Sequence, residues 1–170
     1  MRIAVATDHA GFPLKAIVIE AVGREGHQVV DLGTWSTDPV DYPDVARRVG
    51  VALQDGTVER AVLVCGSGVG AAVAATKMRG VRAGLCHDHY SAHQGVEHDD
   101  INVLTLGARV VGPALADELV TAFLRARFSG EERHVRRVRK IAQLEADAAG
   151  LAGSALPPLD VAAELEAHRG

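Results

Sequence analysis

Five short stretches of the chain are almost wholly apolar, and longer stretches with polar residues on a helical repeat separate them. The apolar runs are IAVATD (3–8), QVVDLG (28–33), AVLVCG (61–66), RAGLCH (82–87) and NVLTLG (102–107). Their length and aliphatic content predict β-strands, and their lack of strict alternation predicts strands covered on both faces. Between them, PLKAIVIEAVGREG, YPDVARRVGVALQDG, VGAAVAATKMRG and YSAHQGVEH are each long enough for a crossover helix. Pro13, Pro43 and Pro113 stand where first helical turns would begin, a position proline tolerates. The alternation predicts an α/β fold: a doubly wound, mostly parallel, five-stranded sheet in a Rossmann-like three-layer sandwich.

Two more helices are expected after the fifth run, over PALADELVTAFLRAR and EERHVRRVRKIAQLEADAA. The second carries Val135, Val138, Ile141, Ala142 and Leu144 as a partial apolar stripe opposite a basic face. GLAGSALPP (150–158) is rich in helix breakers and precedes the short acidic segment LDVAAELEAHRG. The expected organisation is one domain over 1–149, then a linker and C-terminal extension over 150–170.

Composition narrows the class. The chain has 170 residues, 48% apolar but only 4% aromatic, which predicts one compact domain with a core of Val, Ala and Leu. A formal charge of −4 gives no reason to expect nucleic-acid binding. No apolar run approaches the roughly 20 residues that span a bilayer, so no membrane partner is expected. The opening MRIAVATD has neither a charged-then-apolar leader nor a cleavage site, and two cysteines, Cys65 and Cys86, are too few for a disulfide framework. A reducing, cytoplasmic setting follows as the expectation.

In open parallel sheets, ligands gather at the carboxyl ends of the strands. Asp8 and His9 follow the first run, Cys65 to Gly70 the third, His87 and Asp88 the fourth, and Arg109 the fifth. In CGSGVG a strand breaks through Gly66, Ser67, Gly68 and Gly70 into a helix, which aims backbone N–H groups at one spot beside Cys65. Such a spot activates a thiol and stabilises an oxyanion, although most free cysteines are simply small buried apolar residues. The same loop, as Gly66-x-Gly68-x-x-Ala71 with Asp88 downstream, also fits a dinucleotide fingerprint, but that fingerprint belongs after a first strand. In CHDHYSAHQGVEHDD, His89 and His93 would share a helix face and suggest a zinc or manganese site; a polar loop with one acid/base histidine explains the stretch more simply. Arg133 and Arg137 are one helical turn apart and suit a phosphate clamp, where the bland alternative is a solvated basic face. Asp8 could equally be a helix cap.

Several motifs in order carry a family resemblance: DHAG (8–11), DLGT (31–34), DYPDVA (41–46), CGSGVG (65–70), NVLTLGARVVG (102–112) and RHVRRV (133–138). Together they resemble the type B ribose-5-phosphate isomerases and the related galactose-6-phosphate isomerase subunits, from residue 1 to about residue 145. The resemblance implies an aldose–ketose isomerase that works through a cis-enediolate without metal or other cofactor. It implies Cys65 as base, Ser67 as its assistant, and the amides of Gly66, Gly68 and Gly70 as the enediolate site. His98 then opens the sugar ring, with Asp8 the acid opposite and Tyr42 lining the sugar. His9, Arg109, Arg133 and Arg137 hold the phosphate, some from a second subunit of a homodimer or dimer of dimers. Where the ribose 5-phosphate pattern has asparagine after the histidine, this chain has Asp99. That exchange opens the choice of sugar to tetrose, other pentose and hexose phosphates. A nicotinamide-dependent oxidoreductase and a non-catalytic sugar-phosphate-binding subunit are the alternatives from other classes.

Overall fold

The structure is a computed structural model and describes residues 1–150; the expected linker and extension beyond 150 lie outside the described residues. The chain divides after Gly130 into two units. The first contains β1 (Arg2–Thr7), α1 (Lys15–Arg24), β2 (Gln28–Asp31), α2 (Tyr42–Gln54), β3 (Arg60–Cys65), α3 (Val69–Ala75), β4 (Ala83–Leu85), α4 (His89–Asp99), β5 (Val103–Gly107) and α5 (Pro113–Arg125). A single 3-10 turn over Phe12–Leu14 leads into α1. The second unit contains α6 (Glu132–Ala148), with Val135 and Val138 half-buried and Arg133, Arg136 and Arg137 exposed. Among the described residues no helix is long and apolar enough to cross a membrane.

All five strands pair in parallel, in the order β2-β1-β3-β5-β4. Alternate residues of the central strands feed two cores. Ile3, Val5, Val62, Val64, Leu104 and Leu106 meet Val18 and Val22 of α1, Val96 of α4 and Leu119 and Phe123 of α5. Ala4, Ala6, Ala61, Leu63 and Val103 meet Val45 and Val49 of α2 and Ala71 and Ala75 of α3 on the other face. Each fully buried Val, Leu or Ile contributes roughly 1.5–3 kcal/mol, so these central strands carry most of the stabilisation. The edge strands are shorter than their apolar runs suggest. β2 ends at Asp31, whose carboxylate turns back to accept the Gly33 N–H (2.9 Å), and β4 keeps only three residues.

The stretch from His89 to Asp99 is the helix α4, as the crossover reading of YSAHQGVEH expected, and not the polar loop offered for CHDHYSAHQGVEHDD. Asp88 caps it by accepting the Ser91 N–H at 2.8 Å, and Ala92, Gly95 and Val96 bury its inner face. So few apolar residues suffice because Gly95 lets the side chain of Ile101 pack against the helix backbone.

The strand order reverses between β1 and β3. From β1 the chain runs outward to β2, returns across β1 to β3, and then builds the other half of the sheet. Such a reversal leaves a crevice at the carboxyl ends of the two strands.

Candidate active site

Asp8 and Cys65 leave adjacent strands at that crevice. The Asp8 N–H donates to the Val64 carbonyl at 3.1 Å, which continues the β1–β3 ladder to the strand ends. The Asp8 Oδ1 then accepts the Gly11 N–H at 2.8 Å, folding residues 8–11 into a tight turn. Asp8 is thus the acceptor of a turn and not a helix cap, since neither the 3-10 segment nor α1 has a side-chain cap, and its carboxyl is held beside the end of β3. Gly11 lies so close to β3 that a Cβ there would overlap the Val64 carbonyl and sit 2.9 Å from the Cys65 nitrogen. Only glycine permits this approach.

Cys65 is the last residue of β3 and is buried, and its Sγ accepts the Gly68 N–H at 3.1 Å. Gly68 has φ +81°, and a Cβ there would overlap Leu85 and stand 3.0 Å from the Leu106 carbonyl carbon. That left-handed residue curls the loop back over the thiol. Ser67 is exposed, and its Oγ accepts the Val69 N–H (3.3 Å) at the start of α3. The first turn of any helix leaves amides without intrahelical acceptors, so the loop presents donors next to the sulfur. Burial, with help from the nearby Asp88 charge, pushes the second thiol, Cys86, up to about 11.

The rest of the carboxyl edge closes round this loop. Tyr42, half exposed at the start of α2, covers Gly70 so closely that a Cβ on Gly70 would lie 2.8 Å from its Cζ. The Gly66 carbonyl accepts the Arg109 N–H at 3.0 Å, and the Arg109 side chain passes over Gly66. His9 Nδ1 accepts the Val40 N–H at 3.3 Å, which leaves the neutral ring's proton on Nε2. His87 Nε2 accepts the Gly107 N–H at 3.0 Å, and Gly107 in turn lies against the Ser67 backbone. Sequence reasoning named neither Gly107 nor Gly11 individually, although both stand in quoted motifs.

His98 and Asp99 stand at the far end of α4 from this loop. α4 runs antiparallel to the strands, so His98 and Asp99, at its C-terminus, lie towards the amino edge of the sheet. Arg82, just before β4, marks that edge: it pairs with Asp100 at 2.6 Å, and its backbone N–H donates to the Asn102 side chain at 2.9 Å. Eleven helical residues at about 1.5 Å each separate His98 and Asp99 from the other edge by roughly 16 Å. His98 Nδ1 is bonded to Gln94 at 2.6 Å. Arg133 and Arg137 stand one turn apart on the exposed side of α6 in the second unit, where Arg133 pairs with Glu131 at 2.8 Å.

Asp88, the acid a dinucleotide site would need, spends its carboxylate on the Ser91 N–H; that hydrogen bond, first among its contacts, holds the carboxyl below the usual range. The His89 and His93 rings stack in parallel 6.5 Å apart rather than converging, and among the described residues no cluster of three or more His, Cys, Asp or Glu is placed to hold a metal ion.

The sequence profile of the Ribose/Galactose Isomerase family matches residues 3–141. The chain is 43% identical to ribose-5-phosphate isomerase B of Escherichia coli over 144 residues, 85% of this chain and 96% of that protein. It is 40% identical to the D-erythrulose-4-phosphate isomerase of Pectobacterium atrosepticum over 134 residues, 76% of this chain and 86% of that one. Among solved structures, the type B ribose 5-phosphate isomerase of Trypanosoma cruzi superposes with a TM-score of 0.84 at 43% identity, covering 86% of this chain and 99% of the other. Sequence and fold agree along nearly the whole of these relatives, with the cysteine–glycine loop inside the matched span, and the chain therefore belongs to the ribose/galactose isomerase family.

Proposed function

We propose that the chain is an aldose–ketose isomerase acting on a phosphorylated sugar, with ribose 5-phosphate and ribulose 5-phosphate as the pair. The observation that carries this reading is the meeting of Asp8 and the Cys65–Gly70 loop at the β1/β3 reversal. In the proposed step the Cys65 thiolate takes the proton from C2 of the open-chain aldose. The electron pair forms the C1–C2 double bond and moves charge onto O1, giving a cis-enediolate. Return of the proton to C1, with the hydroxyl proton passing from O2 to O1, yields the ketose. The Gly68 N–H aimed at the sulfur supports its charge, and once the thiolate has taken the proton that N–H joins those of Gly66 and Gly70 in meeting the developing oxyanion. Ser67 assists the thiol, Asp8 faces it as acid, Tyr42 lines the sugar, and His9 and Arg109 hold the phosphate.

His98 as ring opener and Asp99 beside the sugar complete the reading only if they come from a second copy, and Arg133 and Arg137 hold the phosphate with His9 and Arg109. The supporting fact is the roughly 16 Å between the two sheet edges, since one chain cannot bring His98 to its own Cys65. We therefore propose a homodimer, or a dimer of dimers, with shared sites. The isomerase domain is taken to span 1–149, and the cytoplasm is the setting expected for an enzyme of sugar metabolism. A second reading, a tetrose phosphate as substrate, is favoured by Asp99 and by the erythrulose-4-phosphate relative.

A panel of phosphorylated aldoses and ketoses, read by direct detection of both sugars, tests the proposal. Interconversion of ribose 5-phosphate and ribulose 5-phosphate, lost about a hundred-fold or more in Cys65→Ala, is the expected result. No turnover of any member, or full turnover by Cys65→Ala, overturns it.

A further inference from the structure

Lys15 is the one buried residue with a formal positive charge among those named in the core, and the isomerase chemistry makes no use of it. It opens α1 in the run PLKAIVIEAV, whose only other charged residue is Glu20, and is 5% exposed. Its Nζ pairs with Asp31 Oδ1 at 2.6 Å and donates to the Thr34 carbonyl at 2.7 Å. The Phe12 and Trp35 rings flank the ammonium, with centroids 5.9 and 5.3 Å away. A buried ammonium is costly unless its protons are used, so a cation kept here points to a task no apolar residue could do.

What it holds is a turn. Asp31 begins the turn that ends β2 and also accepts the Gly33 N–H; Thr34 ends it. Lys15 bridges the two ends. The same turn is strapped to the end of β1, where the Thr7 N–H donates to Gly33 (2.6 Å) and the Thr34 N–H donates to Thr7 (2.7 Å). Thr7 immediately precedes Asp8. Within the turn the Leu32 carbonyl accepts Arg48 Nε at 3.0 Å, and farther along the same connection Val40 supplies the N–H that fixes His9.

We propose that Lys15 is a positioning residue: by clamping the 31–34 turn it sets the β2–α2 connection so that Val40 holds His9 in the Nε2–H tautomer. The link to catalysis rests on the isomerase reading, in which that Nε2–H faces the substrate phosphate. Lys15 touches no substrate and acts through His9.

The test uses the full chain with Lys15→Met, which keeps the apolar stem and removes the charge. Two readouts need no substrate. Trp35 is the only tryptophan, so its fluorescence anisotropy reports the turn. The 15N shifts of the His9 ring, assigned with His9→Gln and recorded at pH 8.5, report the tautomer. Expected are lower Trp35 anisotropy, His9 shifts averaged between tautomers, and kcat/KM for the sugar phosphate reduced about ten-fold or more, chiefly through KM. Asp31→Asn, on an edge strand, should move all three the same way by less, and it decides the matter if Lys15→Met does not fold. Unchanged His9 shifts in a folded variant overturn the inference, whatever the activity does. Should the wild type isomerise nothing in the panel, the functional proposal fails, while the anisotropy and tautomer measurements still decide the role of Lys15.

Discussion

If each catalytic site takes Cys65 from one chain and His98 from another, two inactive variants should repair each other. Cys65→Ala removes the base from one sheet edge, and His98→Ala removes the ring opener from the opposite edge, roughly 16 Å away along α4. Each variant alone should lose about a hundred-fold or more of its turnover. In a two-fold dimer of the two variants, one site joins both substitutions and the other joins Cys65 of the His98→Ala chain to His98 of the Cys65→Ala chain. That second site is intact. Random pairing puts about half the molecules in mixed dimers with one good site of two, so the mixture should recover about a quarter of wild-type activity. The assay is co-expression with two affinity tags, purification through both, and direct detection of the ketose formed. The doubly tagged fraction should reach about half of wild type per dimer. Recovery no greater than either parent would refute the shared site, because two residues working within one chain leave every mixed-dimer site broken.

Other consequences of the geometry are open to separate measurement. Gly11→Ala must push the Asp8 turn off β3 by the order of 1 Å; kcat/KM should fall about a hundred-fold, at a stability cost of about 1–3 kcal/mol seen in thermal melts. Cys86, pushed up to about 11, is ionised to about one part in a thousand at pH 8, so brief treatment with iodoacetamide followed by peptide mass spectrometry should find label on Cys65 and none on Cys86. The Arg125 hydrogen bond holds Glu25 below the usual 4.5, so its stabilisation is present above that pH and disappears as pH falls through the lowered value; melting temperatures should drop more steeply below about pH 4.5 for the wild type than for Glu25→Gln. Asp99→Asn should shift the kcat/KM ratio in the sugar panel towards ribose 5-phosphate, since a carboxylate accepts from a hydroxyl and an amide can also donate; an unmoved ratio would make Asp99 a bystander.

The sheet was legible because its central strands are covered on both faces, which forces continuous apolar runs such as AVLVC and NVLTL. Cys65 and Asp8 were legible for a related reason: a parallel sheet sends every strand's carboxyl end to one edge, so residues far apart in the chain can be placed together by order alone. The same rule misleads for α4. His87 and His98 stand in one polar stretch and look like one cluster, yet the first ends a strand's path and the second ends the return helix. The return helix over YSAHQGVEH was legible by its length, yet its apolar face was thin, because Gly95 substitutes close backbone contact for an apolar side chain.

Lys15 was illegible for a different reason. A lone lysine at a helix start reads as a solvated cation until its partner is known, and the partner, Asp31, ends the next strand. DHAGFPLK and DLGTW look like two motifs with two purposes, one leading into α1 and the other ending β2. In three dimensions the lysine of the first closes the turn of the second, and both converge on the residues flanking β1. This coupling also explains why an ordered set of motifs identifies the family better than any one of them. The glycine loop alone fits a dinucleotide site as well as a thiol site. A glycine at position 11 that only β3 requires, and a lysine at position 15 that only Asp31 and Thr34 require, make sense together on this sheet order and not on a first-strand dinucleotide fold.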